Sequence, residues 1–308
     1  MTILALVAVI SPAGSTPLPT FEELKWTERG AEYTVLSTAP TVCTSSSKEP
    51  DFWAGAGEVI FRAPTLLGGQ AAKAGLNCAS CHRNGRDNPH FQMGGVSNSP
   101  GTSDVTNSFF GAMRGNGKFD PVRIPDLTAP GKISRDEQSA ALEPFIRNLI
   151  VEEFDGNEPS DAVLKAIASY IRGIEDCGED YPSTSLVRLT DTLLVIEQAV
   201  MGSKKWMGIN ANRQETNLLI MAIRHQLGII SERYSGTHLS MQRESLLAES
   251  RALQKIGNME SIDGMGPALE LWYEKFSRST VQDLLKMQNK SLYDPKRLAA
   301  AFPAKAKR

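Results

Sequence analysis

Fifty residues, from Arg83 to Lys132, carry too many helix breakers for a long helix to fit among them. Gly94-Gly95, Pro100-Gly101, Gly115, Gly117, Pro121, Pro125 and Pro130-Gly131 interrupt every run. So long a stretch without regular structure is unusual in a compact domain. It points to a functional loop, or to something other than side chains filling the core. Directly before it stands "LNCASCH", residues 76–82. The chain holds 4 cysteines and 4 histidines, and Cys78, Cys81 and His82 fall within one turn's length of each other.

The pattern C-x-x-C-H reads as a c-type haem attachment site. Its spacing follows from the chemistry. Each thiol adds to one haem vinyl group to give a thioether. Two intervening residues let a single helical turn present both sulfurs, and His82 then offers its imidazole to the iron as proximal ligand. A redox dithiol would need a thioredoxin-like βαβ setting, and none is visible in the sequence. A zinc site would need a second ligand pair at suitable spacing, which is missing. The expected cofactor is therefore one covalently attached haem c, held by Cys78, Cys81 and His82.

The sixth iron ligand is less constrained. Met113 lies in "GAMRGNG", where glycines on both sides would let backbone approach a haem edge, and it is the preferred candidate. Met93, His90 or an open iron face are the alternatives. An isolated Met is otherwise core filler, and an isolated His in a polar loop is otherwise solvated. Arg86, Arg114, Lys118 and Arg123 could neutralise haem propionates, although surface charge explains each of them singly.

The rest of the chain reads as helical. "EPDFWAGAGEVIF" opens a compact region, and "RAPTLLGGQAAKAGLN" continues as a turn and short helix. Helical order returns after the loops at "KISRDEQSAALEPFIRNLIVEEF". There Ser134 and Glu137 match a capping box, and Pro144 would kink or restart the helix. Ser160 is a plausible N-cap for the next helix, lined by Val163, Ile167, Tyr170, Ile171 and Ile174. Beyond "DCGEDYPSTS", apolar stripes at helical spacing recur. They run Leu186–Val200, Leu219–Tyr234, Leu246–Ile256, Leu269–Phe276 and Val281–Leu285, with "GSKKW", "SGTH" and "GNMESIDGMGP" as turns. The expected fold class is all-α: a cytochrome c-like haem domain with long loops, followed by an antiparallel helical bundle. The expected divisions are a signal peptide at 1–15, a loop-rich leader at 16–49, the haem domain at 50–176, a linker at 177–184 and the bundle at 185–308. His225 and His238 fall in that bundle and read as structural, since no Glu-x-x-His pattern accompanies them.

The stretch "GEVIFRAPTLLGGQAAKAGLNCASCH" resembles the opening of haem domains in the cytochrome c peroxidase and MauG-like family. "DVTNSFFGAMRGNGKFDPVRIPDL" is similar to that family's haem-wrapping loops, and "LEPFIRNLIVEEFDGNEPSDAVLKAIASYIRGI" to its closing helices. The likeness covers about residues 50–176. It implies a single haem domain of that type, because those peroxidases carry two C-x-x-C-H motifs and this chain carries one.

Ile3 to Ile10 is an unbroken apolar run followed by small residues and prolines, as in an export signal, although no Lys or Arg precedes it. Export to the periplasm would put Cys43 and Cys177 in an oxidising compartment. There they could form a disulfide tying the entrance of the haem region to its exit. The formal net charge is −2 with no basic run, which argues against nucleic acid as a partner. The function expected is one-electron transfer to a redox partner protein, free or part of a membrane-bound redox complex. The alternative is a peroxidase or MauG-like enzyme subunit with an open distal site, where His90 or Glu137 would be candidate acid-base groups.

Overall fold

"FWAGAGEVIF" supplies the hub of the molecule, because its small residues let two other helices come within backbone contact. In the computed structural model this stretch is a helix. A Cβ on Gly57 would fall 2.0 Å from the Ala166 carbonyl oxygen, and one on Gly55 would fall 2.9 Å from Gln198 Cβ. The structure describes residues 21–44, 52–111, 113–136, 138–207 and 213–303. It is mostly helical.

The helices up to the turn that carries Cys78 and Cys81 are α1 (Glu32–Ser37), α2 (Phe52–Phe61, the hub), α3 (Gly69–Lys73) and α4 (Cys78–Cys81). After the loops come α5 (Leu142–Asn148), α6 (Asp161–Gly173), α7 (Leu189–Met207), α8 (Arg213–Arg233), α9 (Ser240–Gly257), α10 (Met265–Arg278), α11 (Thr280–Met287) and α12 (Pro295–Ala301). Three small antiparallel pairs join distant segments. They are β1 (Thr38–Pro40) with β6 (Thr184–Leu186), β2 (Cys43–Thr44) with β5 (Ile174–Glu175), and β3 (Thr102–Ser103) with β4 (Val122–Arg123).

Helix α2 packs against both α6 and α7. One apolar core therefore runs from Ala56 to Tyr293, and residues 177–184 do not separate two cores. The stripes read from the sequence are buried: Leu189, Ile196 and Val200; Leu219, Ile223, Leu227, Ile230 and Tyr234; Leu246 and Leu253; Leu269, Trp272 and Phe276. Helices hold their apolar faces together in this way because each buried Leu, Ile or Phe contributes about 1.5–3 kcal/mol of transfer free energy.

Four local expectations are corrected. "GSKKW" is not a turn, because α7 continues through it. Gly202 sits there to let Phe52 approach: a Cβ would meet the Phe52 carbonyl oxygen at 2.5 Å. Leu186 lies exposed on β6 rather than on a helix stripe. The helix expected from Ser134 starts at Leu142, and Glu137 of the expected capping box lies outside the described residues. Pro144 is the third residue of α5, where no intrahelical donor is lost, so it neither kinks nor restarts the helix. Helix α5 runs on into one π-helical turn at Leu149–Glu153. Ser160 does cap α6, its Oγ accepting from the Val163 amide at 3.3 Å.

The leader is a strap rather than a loop. Trp26 and Glu28 bond through their backbones to Gln92 and His90, at 2.9 Å each. Glu23 receives two bonds from the guanidinium of Arg233, at 2.8 and 2.9 Å, and Arg233 is only 1% exposed. Phe21, Leu36, Leu298 and Phe302 form a small separate cluster that seals the strap to α12. Cys43 and Cys177 are joined as a disulfide with Cα atoms 5.1 Å apart, next to the β2–β5 pair. The expected signal peptide at 1–15 lies outside the described residues.

Candidate functional site

"LNCASCH" folds as one capped turn. Asn77 precedes the turn in extended conformation, and its Oδ1 accepts from the Ser80 amide at 3.0 Å. Ser80 Oγ accepts in return from the Asn77 amide at 3.1 Å. This N-x-x-S box satisfies the free donors of a helix too short to persist alone. The His82 amide closes the turn on the Cys78 carbonyl at 2.8 Å, and backbone at His82 then leaves the helix. Positive φ at Asn84 (52°) and Gly85 (74°) turns the chain away.

His82 has a fixed tautomer. Its Nδ1 stands 3.1 Å from the Pro125 carbonyl oxygen. A carbonyl only accepts, so Nδ1 carries the proton and Nε2 keeps its lone pair. Burial pushes the imidazole pKa down to about 4, against the Pro125 bond and the charges of Asp126 and Asp87. At neutral pH the ring is therefore an uncharged base. Pro125 is itself held: Leu127 N donates to the Gly85 carbonyl at 3.1 Å, and Arg86 pairs with Asp126 at 2.6 Å. The role of Pro125 was not read from the sequence. An orienting carbonyl 43 residues downstream of the histidine leaves no trace in residue type.

The two thiols touch different apolar groups. Cys78 packs on the main core, and Cys81 packs on a second cluster of Leu67, Leu76, Phe91, Met93, Phe110 and Ile124. Burial pushes both thiols up to about 12, so both are protonated at neutral pH. A redox-active pair needs a thiol lowered toward neutrality, and here the shift has the opposite sign. Among the described residues, no group of three or more His, Cys, Asp or Glu side chains could hold a metal ion.

The distal candidates separate. Met113 is 74% exposed. Met93 is 5% exposed and shares the cluster on which Cys81 packs. His90 Nδ1–H donates a hydrogen bond to Glu28 Oε1 at 2.7 Å. Among the cations, Arg86 is engaged by Asp126, Asp176 and the Thr41 carbonyl. Arg114 pairs with Glu153, Arg123 pairs with Asp87 at 3.3 Å, and Lys118 is exposed.

Glu153 was not expected. It is 4% exposed, ends the π-helical turn, and its Oε2 has no partner among the described residues. Burial raises its pKa despite the Arg114 guanidinium. The neighbouring Phe154 meets Phe110 edge-on at 5.2 Å, in the cluster that holds Cys81. In the sequence, "VEEF" simply closes the helical stretch that begins at "KISRDEQ".

Met113, Phe119, Val122 and Phe145 are large apolar side chains left exposed on the loops and on α5. The donor set fits a c-type haem. It comprises two protonated thiols on one turn, a neutral imidazole with Nε2 free, and apolar groups beyond each sulfur. No family model, no curated protein and no solved structure matches this chain.

Proposed function

We propose that the chain is an exported c-type cytochrome carrying one haem, bonded through Cys78 and Cys81, with His82 as proximal ligand. When bound, the haem supplies one-electron chemistry at iron. The single observation that carries this reading is the bond between His82 Nδ1 and the Pro125 carbonyl oxygen, at 3.1 Å. It orients the ring, fixes the tautomer that leaves Nε2 for a metal, and raises the ring's basicity. The two protonated thiols supply the hydrogens that thioether formation requires. In this reading residues 50–176 are a cytochrome c-like domain, and α7–α11 form a helical bundle against which a redox partner protein, free or in a membrane complex, could dock. The Cys43–Cys177 disulfide supports an oxidising compartment such as the periplasm. Among the described residues no helix is long and apolar enough to cross a membrane.

Met93 is the distal ligand better supported by burial, and Met113 the one suggested by its glycine-rich setting. A near-infrared Met–iron charge-transfer band in the oxidised protein tests both. It is expected to vanish in one of Met93→Leu and Met113→Leu and to persist in the other.

One observation favours the enzyme reading. Glu153 is a buried carboxyl with a free oxygen and a raised pKa, as an acid-base group needs. The visible spectrum separates the readings. A low-spin six-coordinate form unchanged by peroxide supports the carrier, and a high-spin form that peroxide alters, with the change lost in Glu153→Gln, supports the enzyme.

A further inference from the structure

One guanidinium joins three segments of the chain that meet beside the disulfide. Arg86 Nε donates to Asp126 Oδ2 at 2.6 Å, Nη1 to the Thr41 carbonyl at 3.2 Å, and Nη2 to Asp176 Oδ2 at 2.8 Å. Thr41 stands two residues before Cys43, and Asp176 directly before Cys177. Asp126 directly follows Pro125, whose carbonyl accepts from His82 Nδ1–H at 3.1 Å.

A planar fork of donors can hold three groups in fixed directions, and a single ammonium cannot. The Asp176 side chain is 58% exposed, and an ion pair so exposed contributes little by itself. The disulfide, together with the β2–β5 pair, is what keeps Thr41 and Asp176 where Arg86 meets both. A path of bonds thus runs from the disulfide through Thr41 and Asp176 to Arg86, then through Asp126 and Pro125 to the His82 ring. Leu127 has holds of its own, its amide on the Gly85 carbonyl at 3.1 Å and its carbonyl on Arg135 at 2.8 Å. Loss of Arg86 therefore changes the aim of the Pro125 carbonyl without releasing the loop. Cys177 is half-buried between exposed Asp176 and Gly178, so a reductant can reach the bond.

We infer, on the haem reading proposed above, that Arg86 is a positioning residue for His82 and that the Cys43–Cys177 disulfide acts through it on the potential of the iron. With the disulfide closed, His82 Nδ1–H is held on Pro125 and the ring is a strong donor, which favours Fe(III). On reduction the S–S bond breaks, and each sulfur takes one electron and one proton from a dithiol reductant, which closes to its own disulfide. Thr41 and Asp176 then lose their tether, Arg86 loses its frame, and the bond from His82 weakens. A weaker donor favours Fe(II), so the potential rises.

The test is the midpoint potential of the full-length matured protein as parent, as Cys43→Ser with Cys177→Ser, as Arg86→Lys, and with all three changes together. Arg86→Lys keeps the charge and loses the fork. The cysteine pair and Arg86→Lys are each expected to raise the potential by about 59 mV, a tenfold change in the one-electron equilibrium. The triple variant should move little beyond either, because changes along one path do not add. Dithiothreitol should reproduce the shift in the parent and produce little in Arg86→Lys. Phe276→Ala, which destabilises the helical core, should leave the potential unchanged. Nitrogen-15 NMR of labelled histidine gives a second readout that needs no haem. Exchange of the His82 Nδ1 proton with solvent is expected to be about tenfold faster in the cysteine pair and in Arg86→Lys. A colourless sample would sink the haem reading, and this exchange would still decide the coupling. A potential and an exchange rate unmoved by the cysteine changes, shifts that add in the triple variant, or an equal shift in Phe276→Ala would each overturn the inference.

Discussion

In the helical half, residues 189–301, side chains such as Ile223, Leu227, Leu253, Leu269 and Phe276 meet across helices and exclude water. In the attachment half, residues 78–136, the contacts are of another kind. Here His82 reaches Pro125, Arg83 reaches Val35 and Thr38, Asn84 reaches Pro40, and Arg86 reaches Thr41, Asp126 and Asp176. The first half is held mainly by apolar area, whereas the second adds to its small apolar cluster a set of directed side-chain bonds, those of Arg83, Asn84 and one from Arg86 reaching a strap more than forty residues away. The contrast teaches where each half is vulnerable. A hydrophobic core loses stability in proportion to the volume removed, whereas a loop scaffold fails when its anchor is removed.

The largest effect on that contrast is expected from Cys78→Ser with Cys81→Ser. Covalent pigment should be lost completely, and amide exchange should speed up across residues 83–132 while α8 and α9 stay protected. Equal loss of protection in both halves would erase the distinction.

Phe276→Ala should act on the other half. A large aromatic removed from a well-packed core costs about 3–5 kcal/mol. Denaturant titration should show that loss with the visible spectrum unchanged.

The disulfide bridges the strap to the segment after α6, across a sequence separation of 134 residues. Its replacement by Cys43→Ser with Cys177→Ser should cost roughly 2–5 kcal/mol. If the denaturation midpoint does not move, the strap is held by its strand pairs and by Glu23–Arg233 instead.

Asn77→Ala removes the cap of the attachment turn and should cost about 1 kcal/mol by chemical denaturation. A change within error would mean that the turn is held from outside.

The smallest expected effect is a pH dependence centred on Glu232. Burial raises this carboxyl to about 7, and its oxygen accepts the Glu22 amide at 2.9 Å. The folded state therefore keeps the proton longer than the unfolded one. The contribution is full below the unfolded carboxylate pKa and declines as pH rises through about 7. Thermal melts from pH 5 to 8 should fall less steeply in Glu232→Gln than in the parent.

Much of the helical half was legible because burial there follows a 3.6-residue period: Leu219, Ile223, Leu227 and Ile230 stand out in the sequence and are all buried. Two helix details were not. Gly202 reads as a turn but serves as a contact point for Phe52, and Leu186 matches a helix stripe yet sits on a strand. At the attachment turn the spacing of Cys78, Cys81 and His82 was legible because it is local. The N-x-x-S box of Asn77 and Ser80 was equally local and could have been read. Pro125, Glu153 and the strap could not, since their roles depend on partners far along the chain. Flanking glycine permits close approach at Met113, but a permissive backbone does not fix where a side chain ends, and in the structure Met113 is 74% exposed.

The most direct test is the intact mass, under reducing conditions, of the chain produced in a host that matures c-type cytochromes, with the haemochrome spectrum of the same sample. The account predicts a mass above the polypeptide by one haem and a spectrum with two thioether links. A colourless chain at the bare polypeptide mass would contradict it.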